Sequence, residues 1–436
     1  MSNEKSITQI IDTEYRSYSM YVLENRAIPS AIDGLKSVTR KLLYAMINDY
    51  SGKKTKVAEL GGGLAKHGYH HGEASAMGAA IGLASDWSNN EPIFTGHGNF
   101  GSRIVQEAAA PRYIFASLSP AYKTWFVDLE VAPVSTNEEN PEPAHYLPII
   151  PWVLVNGISG IAVGFASNIL PRSTDSIVKA VKQCLKDPAK YLAANVNIDP
   201  TFPSFRGTVI NTEPNQWKTR GIIDYIGKYQ FKISELPVGW DREGYVEFLN
   251  GLIDSGKIKD YEDGCSDAGF EFNVKVSGEQ KDKIEQDPFK YFKLEKSHSE
   301  NLTTIGYDGK LKIFESVAQL IHYFVEYRLT KFSDKIAYEI QQDTSEVEFA
   351  KNKIKFIEFV IDDKVDFRRT TKSQLIEFIK ENVTEAEYGK LFASIPLYDC
   401  TSDAVEALQT KIAKLEGGLT VLRSTTPLAR YLATLK

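Results

Sequence analysis

The longest regular pattern in the chain is an uninterrupted one. From Lys310 to Tyr388, 79 residues contain neither Gly nor Pro. Within this stretch Val347, Ala350, Ile354, Ile357 and Ile361 recur at alternating spacings of three and four, which places them in one apolar seam along a helix. The rhythm returns at Val405, Leu408, Ile412, Leu415, Leu419 and Leu422. The pattern predicts two long helices packed antiparallel around a small insert over about 366–402. A helix of roughly 45 residues would be about 70 Å long at 1.5 Å per residue, an arm that reaches something at its tip.

Upstream the periodicity is broken more often. Residues 1–25 read as a leading arm and helix. Over Ser37–Met46 the apolar set Val38, Leu42, Leu43 and Met46 has helical spacing, with Arg40 and Lys41 on the other side. Glu73–Trp87, EASAMGAAIGLASDW, predicts a helix of very small side chains, which lets another surface approach closely. From about 172 to 305, strand-like runs such as YQFKISEL and FEFNVKV alternate with a helix over 242–255, the mark of a second, mixed α/β domain. Tyr146–Pro171 carries no charge over 26 residues but contains Pro148, Pro151, Asn156, Gly157, Gly160, Gly164 and Asn168. Those residues would break a spanning helix repeatedly, so the run predicts buried strands joined by turns and no membrane segment.

Composition narrows the class. A chain of 436 residues with 42% hydrophobic content has room for two to four folded domains. Three distant cysteines in no CxxC spacing, and an N-terminus, MSNEKSITQI, without an apolar core, suggest a reduced, cytoplasmic protein. The net charge of −6 argues against nucleic-acid binding by the chain as a whole. Locally, however, Lys36–Lys66 holds seven Lys/Arg against Asp49 and Glu59, a patch able to track phosphates. The acidic excess is then expected on the outer surface of the helical arm.

Several motifs carry little chemistry. Gly96–Gly101 matches GxGxxG, but the following SRIVQEAAAP soon reaches a proline, so a tight loop is expected rather than a dinucleotide site. Gly251–Lys257 matches GxxxxGK, but Ile258 stands where a Mg²⁺-binding hydroxyl belongs, and Gly256 suits a helix C-cap. His67, His70 and His71 have no cysteine near and only Glu73 as an obvious fourth ligand for a structural zinc, so they are expected as a DNA-facing polar cluster at a helix N-terminus. No Asp-x-Asp occurs, so metal-assisted phosphoryl transfer would need carboxylates from another chain.

One pair can do covalent chemistry. In EAAAPRYIFASLS, Arg112 stands beside Tyr113. Tyrosine is a covalent nucleophile, and an adjacent cation favours phenolate and stabilises charge on a phosphoryl oxygen. A phosphotyrosine ester retains bond energy, so the step is reversible. The pair alone is no evidence of function; its surroundings are.

The segments NRAIPSAIDGLKSVTRKLLYAM, GYHHGEASAM, GHGNFGSRIVQEAAAPRYIF and LVNGISGIAVGFASNILP, followed by PTFPSFRG, ISELPVGW, SIPLYDCTSDAVEALQ and TTPLARYLATL, resemble the breakage–reunion region of type IIA DNA topoisomerases in order and spacing. The likeness runs from about residue 15 to the C-terminus, and YHHGE and APRYIF lean toward eukaryotic and phage members rather than bacterial gyrase. The resemblance implies an α+β multidomain fold. Its parts would be an N-terminal arm (1–25), a winged-helix DNA-cleavage domain (26–170) and a mixed α/β tower (171–305). A coiled-coil arm would leave at 306–365, carry a small helical C-gate for dimerisation at 366–402 and return at 403–436.

It also implies that Tyr113 attacks a DNA phosphodiester and becomes 5′-linked, with Arg112, Arg26 and His71 on the scissile phosphate. Lys36, Arg40, Lys41 and His70 would contact DNA, and Ile161 would wedge between base pairs to kink the duplex. The implied cofactors are Mg²⁺ and ATP, held by a large subunit with TOPRIM and GHKL ATPase domains. The implied partners are that subunit, double-stranded DNA and a second copy of the chain; the implied setting is the cytoplasm, that of the host if the chain is phage-encoded. Departures are Ile114 where bacterial members have Thr, and Ser37 in place of a helix-starting proline. With no wrapping domain after Lys436, relaxation, decatenation and unknotting are expected rather than negative supercoiling. Two other readings of the residues are a tyrosine recombinase or nicking enzyme, and an architectural DNA-bending dimer that would not need Tyr113.

Overall fold

A computed structural model describes residues 6–135, 140–364 and 370–435. Residues 1–5 of the expected arm, 366–369 at the start of the expected insert and the terminal Lys436 lie outside the described residues. The chain forms two compact units, one reaching to Arg328 and one spanning Leu329–Thr434.

The first unit opens with a helical run, Ile7–Ala27, punctuated by π-turns at Ile11–Tyr15 and Leu23–Ala27. A reciprocal Ser6–Gln9 capping box starts it. Helix Ser37–Asn48 follows and buries Leu42, Leu43 and Met46 as its spacing predicts; Val38 is only partly buried, and Ala45 and Lys41 are buried as well. It packs beside helices Val57–Gly62 and Glu73–Ala84. The small-residue helix permits this closeness. A Cβ at Gly61 would stand 2.6 Å from Met77 Cγ, and Ala76, Ala80 and Ala84 are buried. That helix ends at Ala84, not Trp87, because Ser85 is extended and the Trp87 indole donates to the Phe100 carbonyl instead. A three-stranded antiparallel sheet completes the layer, ordered Thr55–Lys56, Phe115–Leu118, Phe94–His97.

The charge-free run folds into a short buried helix, Trp152–Asn156, and a hairpin of Ile158–Ile161 with Ala166–Ile169. The turns were legible; the burial was not uniform, since Ile161 lies exposed. Among the described residues no helix is long and apolar enough to cross a membrane.

Residues 208–299 build two antiparallel sheets. One orders Asp260–Asp263, Phe272–Lys275, Gln230–Glu235, Ile222–Gly227; the other orders Glu295–Ser299, Gln216–Arg220, Thr208–Glu213. Helix Arg242–Asp254 closes the core of the first through Tyr245, Leu249 and Leu252, against Ile233, Phe272 and Val274. Gly256, with φ +67°, follows that helix, as a C-cap requires. A hairpin, Leu302–Ile305 with Leu311–Phe314, then intervenes. The long helix therefore starts at Val317 rather than near 306; it runs 45 residues to Ile361.

In the second unit the long helix pairs antiparallel with Ser402–Ser424. Phe332 stacks on Tyr431 of the short helix that follows, Pro427–Thr434, and Phe356 and Ile357 share a core with Val405 and Leu408 near the start of Ser402–Ser424. Val347, Ala350, Ile412 and Leu419 form the buried seam between them. Ile361 departs from the expected seam and is exposed, and Ile357 packs instead with Leu375 and Ile379 of helix Lys372–Asn382. The acidic excess is not on this unit: residues 329–436 hold 17 Asp/Glu against 16 Lys/Arg, whereas residues 251–300 hold 12 against 8.

Candidate functional site

Tyr113 occupies a turn whose geometry is fixed from behind. Its amide donates to the Ala110 carbonyl, and helix Val57–Gly62 reaches over through Val57 N–H to Ile114 O (3.1 Å) and Ala58 N–H to Pro111 O (3.2 Å). Those are the otherwise unpartnered amides of a helix start, so the turn and the helix satisfy each other. Ile114 is buried beneath, and at Gly98, φ +117°, a Cβ would stand 2.9 Å from the Ile114 side chain. The GxGxxG match is thus a tight loop that lets Ile114 anchor its neighbour. Tyr113 itself is 67% exposed, and the Arg112 guanidinium carbon sits 4.7 Å from the centre of its ring. A cation over the ring and a phenol in solvent leave the hydroxyl accessible to an anionic substrate.

A second cluster lines a cavity of about 580 Å³. Arg26, Lys36, His70, His71, Tyr21 and Tyr69 border it; Arg112 and Tyr113 do not. The Tyr21 hydroxyl lies 3.4 Å from His71 Nε2, and the Tyr69 ring meets His71 edge-on. Burial raises the Tyr69 phenol, an effect the nearby Arg26 charge opposes. Lys36 donates to the Ser159 carbonyl (2.7 Å), and partial burial pushes its ammonium down. Arg26, His71, Lys36 and His70 therefore line one cavity, apart from Arg112 and Tyr113, and Tyr21 and Tyr69 join them without any signal in the sequence.

Two expected DNA contacts are revised. Arg40 forms a fork on Asp33, with Nε to Oδ2 at 2.8 Å and Nη2 to Oδ1 at 3.1 Å, and also donates to Leu35 O. Lys41 is only 3% exposed, donating to His67 O and Asn140 Oδ1 and pairing with Glu142 at 2.9 Å. Both charges are already satisfied inside the fold and brace the helix rather than meeting phosphates. The histidine cluster is split likewise: His67 is buried against Asp49, 2.6 Å away, leaving His70 and His71 at the cavity.

Ile161 is 87% exposed at the end of its strand, with Val163 and Phe165 also outward in the turn. The base of this hairpin is tightly seated. A Cβ on Gly160 would stand 2.0 Å from Ala27 O, Lys36 holds Ser159 O, and Asn168 bridges to Asn301. An apolar tip on a clamped base is suited to pushing against something. No group of three or more His, Cys, Asp or Glu among the described residues could hold a metal ion.

The chain is similar in sequence and fold to known proteins. Residues 26–435 match the family model for the A-type subunits of DNA gyrase/topoisomerase IV. The DNA topoisomerase medium subunit of Enterobacteria phage T4 is 39% identical, over 93% of this chain and 92% of that protein. A mitochondrial DNA topoisomerase 2 of Dictyostelium discoideum is 30% identical over 99% of this chain, which spans 35% of that protein. A crystal structure of the Plasmodium falciparum topoisomerase II DNA-binding, cleavage and re-ligation domain superposes with a TM-score of 0.88 at 28% identity, over 98% of this chain and 63% of that one. On its sequence and its fold alike, the chain belongs to the family of DNA gyrase/topoisomerase IV A-type subunits.

Proposed function

We propose that this chain is the cleavage and re-ligation subunit of a type II DNA topoisomerase, and that Tyr113 is its nucleophile. The observation that carries the proposal is the exposed phenol on a turn pinned from behind, with Arg112 across its ring. The phenolic oxygen attacks a DNA phosphorus, the sugar 3′ oxygen leaves, and a 5′-phosphotyrosyl ester forms. The released 3′ hydroxyl attacks back to reseal the strand. Arg112 stabilises charge on the phosphoryl oxygens, as Arg26 and His71 do from the cavity.

Tyr113 does not line the cavity of its own chain, and we place the site across a two-fold dimer in which the tyrosine of one copy meets Arg26 and His71 of the other. Two such sites give a staggered double-strand break. Ile161 enters the duplex at a base step and bends it. Residues 26–170 serve as a winged-helix cleavage domain, 171–305 as a tower, and the paired long helices as a coiled-coil arm bearing a C-terminal dimer gate. No group of carboxylates or histidines among the described residues fits Mg²⁺, so the ion, which would neutralise charge at the scissile phosphate, would be held, like ATP, by a separate large subunit. The assembled complex relaxes, decatenates and unknots DNA in the cytoplasm of a host cell.

The test mixes this chain, its large subunit, Mg²⁺ and supercoiled DNA, and stops the reaction with SDS. Linear DNA with protein on both 5′ ends is expected, and Tyr113→Phe should abolish it. Nicks alone, a 3′ attachment or undiminished product in Tyr113→Phe would favour a recombinase or an architectural role.

A further inference from the structure

The segment that leads into Tyr113 does not simply cross the surface. Ser102–Val105 turns away and enters the neighbouring sheet domain. The Arg103 side chain is mostly buried there, its Nη1 donating to Glu235 Oε1 (2.7 Å) and to Ser204 O, and its Nη2 to Leu236 O (3.1 Å). Its guanidinium lies 5.4 Å from the Phe205 ring centre and 5.3 Å from that of Phe270. Ile104 packs against the domain core, and its carbonyl accepts from the amide of Arg242 at the start of helix Arg242–Asp254. The turn is closed on itself by Ser102 N–H to Val105 O (2.7 Å), and the return to the cleavage layer is fixed by Ala109 N–H to Asn99 O (3.0 Å). Next along the chain, Ala110 O receives the Tyr113 amide.

From this we infer that Arg103 is a positioning residue for the cleavage reaction: its fork on Glu235 and Leu236 fixes the segment 102–112 and so the place of the Arg112–Tyr113 turn. The inference rests on Tyr113 being the nucleophile. The physical need is plain. The catalytic turn is held at Val57 and Ala58 on one side, but about ten residues separate it from the sheet domain on the other. A loop of that length drifts unless it is anchored, and a displacement of about 1 Å at a reacting group can cost on the order of 100-fold in rate. Arginine is suited to the anchor, since one planar fork spans a carboxylate and two carbonyls at fixed angles between two rings. Glu235 is buried, and it keeps other donors if Arg103 is lost. The amides of Leu236 and Arg206 and the Arg206 Nε all reach it. Removing Arg103 therefore loosens the segment without stranding a charge, so the variant folds.

Arg103→Met and Arg103→Lys are compared with the parent chain, each assembled with the large subunit. A short duplex and Mg²⁺ are used, and both equilibrium DNA affinity and the rate of covalent 5′ complex formation are measured. Arg103→Met is expected to retain affinity within about twofold while the covalent step slows about 10-fold or more. Arg103→Lys, which can reach Glu235 but not both carbonyls, is expected to recover part of that rate. Unchanged cleavage by Arg103→Met overturns the inference. So does a parallel loss of affinity and cleavage, or a lysine variant no better than methionine. If the parent chain itself forms no covalent complex, the reading of Tyr113 fails instead.

Discussion

At the scale of single residues, burial decides what a charge is for. Arg40 and Lys41 carry the charge expected of a DNA-binding helix, and sequence spacing placed them on its polar side. Spacing cannot say that Asp33 and Glu142 lie opposite, since Glu142 is 101 residues away in the chain. A buried ammonium facing a buried carboxylate is a brace, and removing one partner leaves the other uncompensated, at a cost of roughly 3–5 kcal/mol. Lys41→Met is thus expected to lower the stability of the chain by about that much in urea titration. Adding Glu142→Leu should restore most of it, since the orphaned charge is gone. A loss below about 1 kcal/mol in the single variant would return Lys41 to the surface, and with it the phosphate contact. By the same logic Tyr113 and Arg112 were legible as chemistry but not as geometry. Their exposure depends on Ile114 below and on two amides from a helix more than fifty residues earlier.

At the scale of elements, strong periodicity was readable and its interruptions were not. The 45-residue helix and its return partner follow from apolar residues three and four apart. The turn of the hairpin over 302–314 is marked by Gly306 and Gly309, but its second strand, Leu311–Phe314, lies inside the Gly- and Pro-free stretch, so no breaker separates it from the helix that starts at Val317. Here Ile305 is paired with Pro29 and Ala31 through the backbone. The hairpin bearing Ile161 was masked differently. Its apolar tip looks like core in sequence because nothing in the sequence indicates what covers it. Its seating gives a prediction that separates tip from base. Ile161→Ala removes only an exposed side chain, so folding should be unaffected while DNA bending weakens. Gly160→Ala forces a methyl toward the Ala27 carbonyl, so the whole hairpin must move. It should lower bending at least as strongly, although Ile161 is still present. Bending can be read by energy transfer between dyes at the ends of a short duplex. Normal bending by Gly160→Ala would mean the base does not orient the tip.

At the scale of the whole molecule, the question is which chain supplies each half of a cleavage site. The family resemblance named Tyr113, Arg112, Arg26 and His71 together, yet the structure separates them into an exposed turn and a cavity that excludes it. A linear sequence holds both halves without recording which copy of the chain each of them serves. The arrangement has a sharp consequence for mixed dimers. Suppose one copy carries Tyr113→Phe and the other Arg26→Ala. If each tyrosine works in the cavity of the partner, one site receives both lesions and the other receives none. The mixed dimer, with its large subunit, DNA and Mg²⁺, should then nick one strand and leave protein on a single 5′ end, at close to half the wild-type number of covalent ends. If tyrosine and arginine act within one chain, every site is damaged and no such recovery occurs. Separately tagged copies, purified as the mixed species and assayed beside each parental variant, distinguish the two outcomes. Both parental dimers are inactive or nearly so under either arrangement, so any single-strand cleavage by the mixture reports the exchange directly. Its absence from a folded, DNA-binding mixed dimer would place the complete site within one chain.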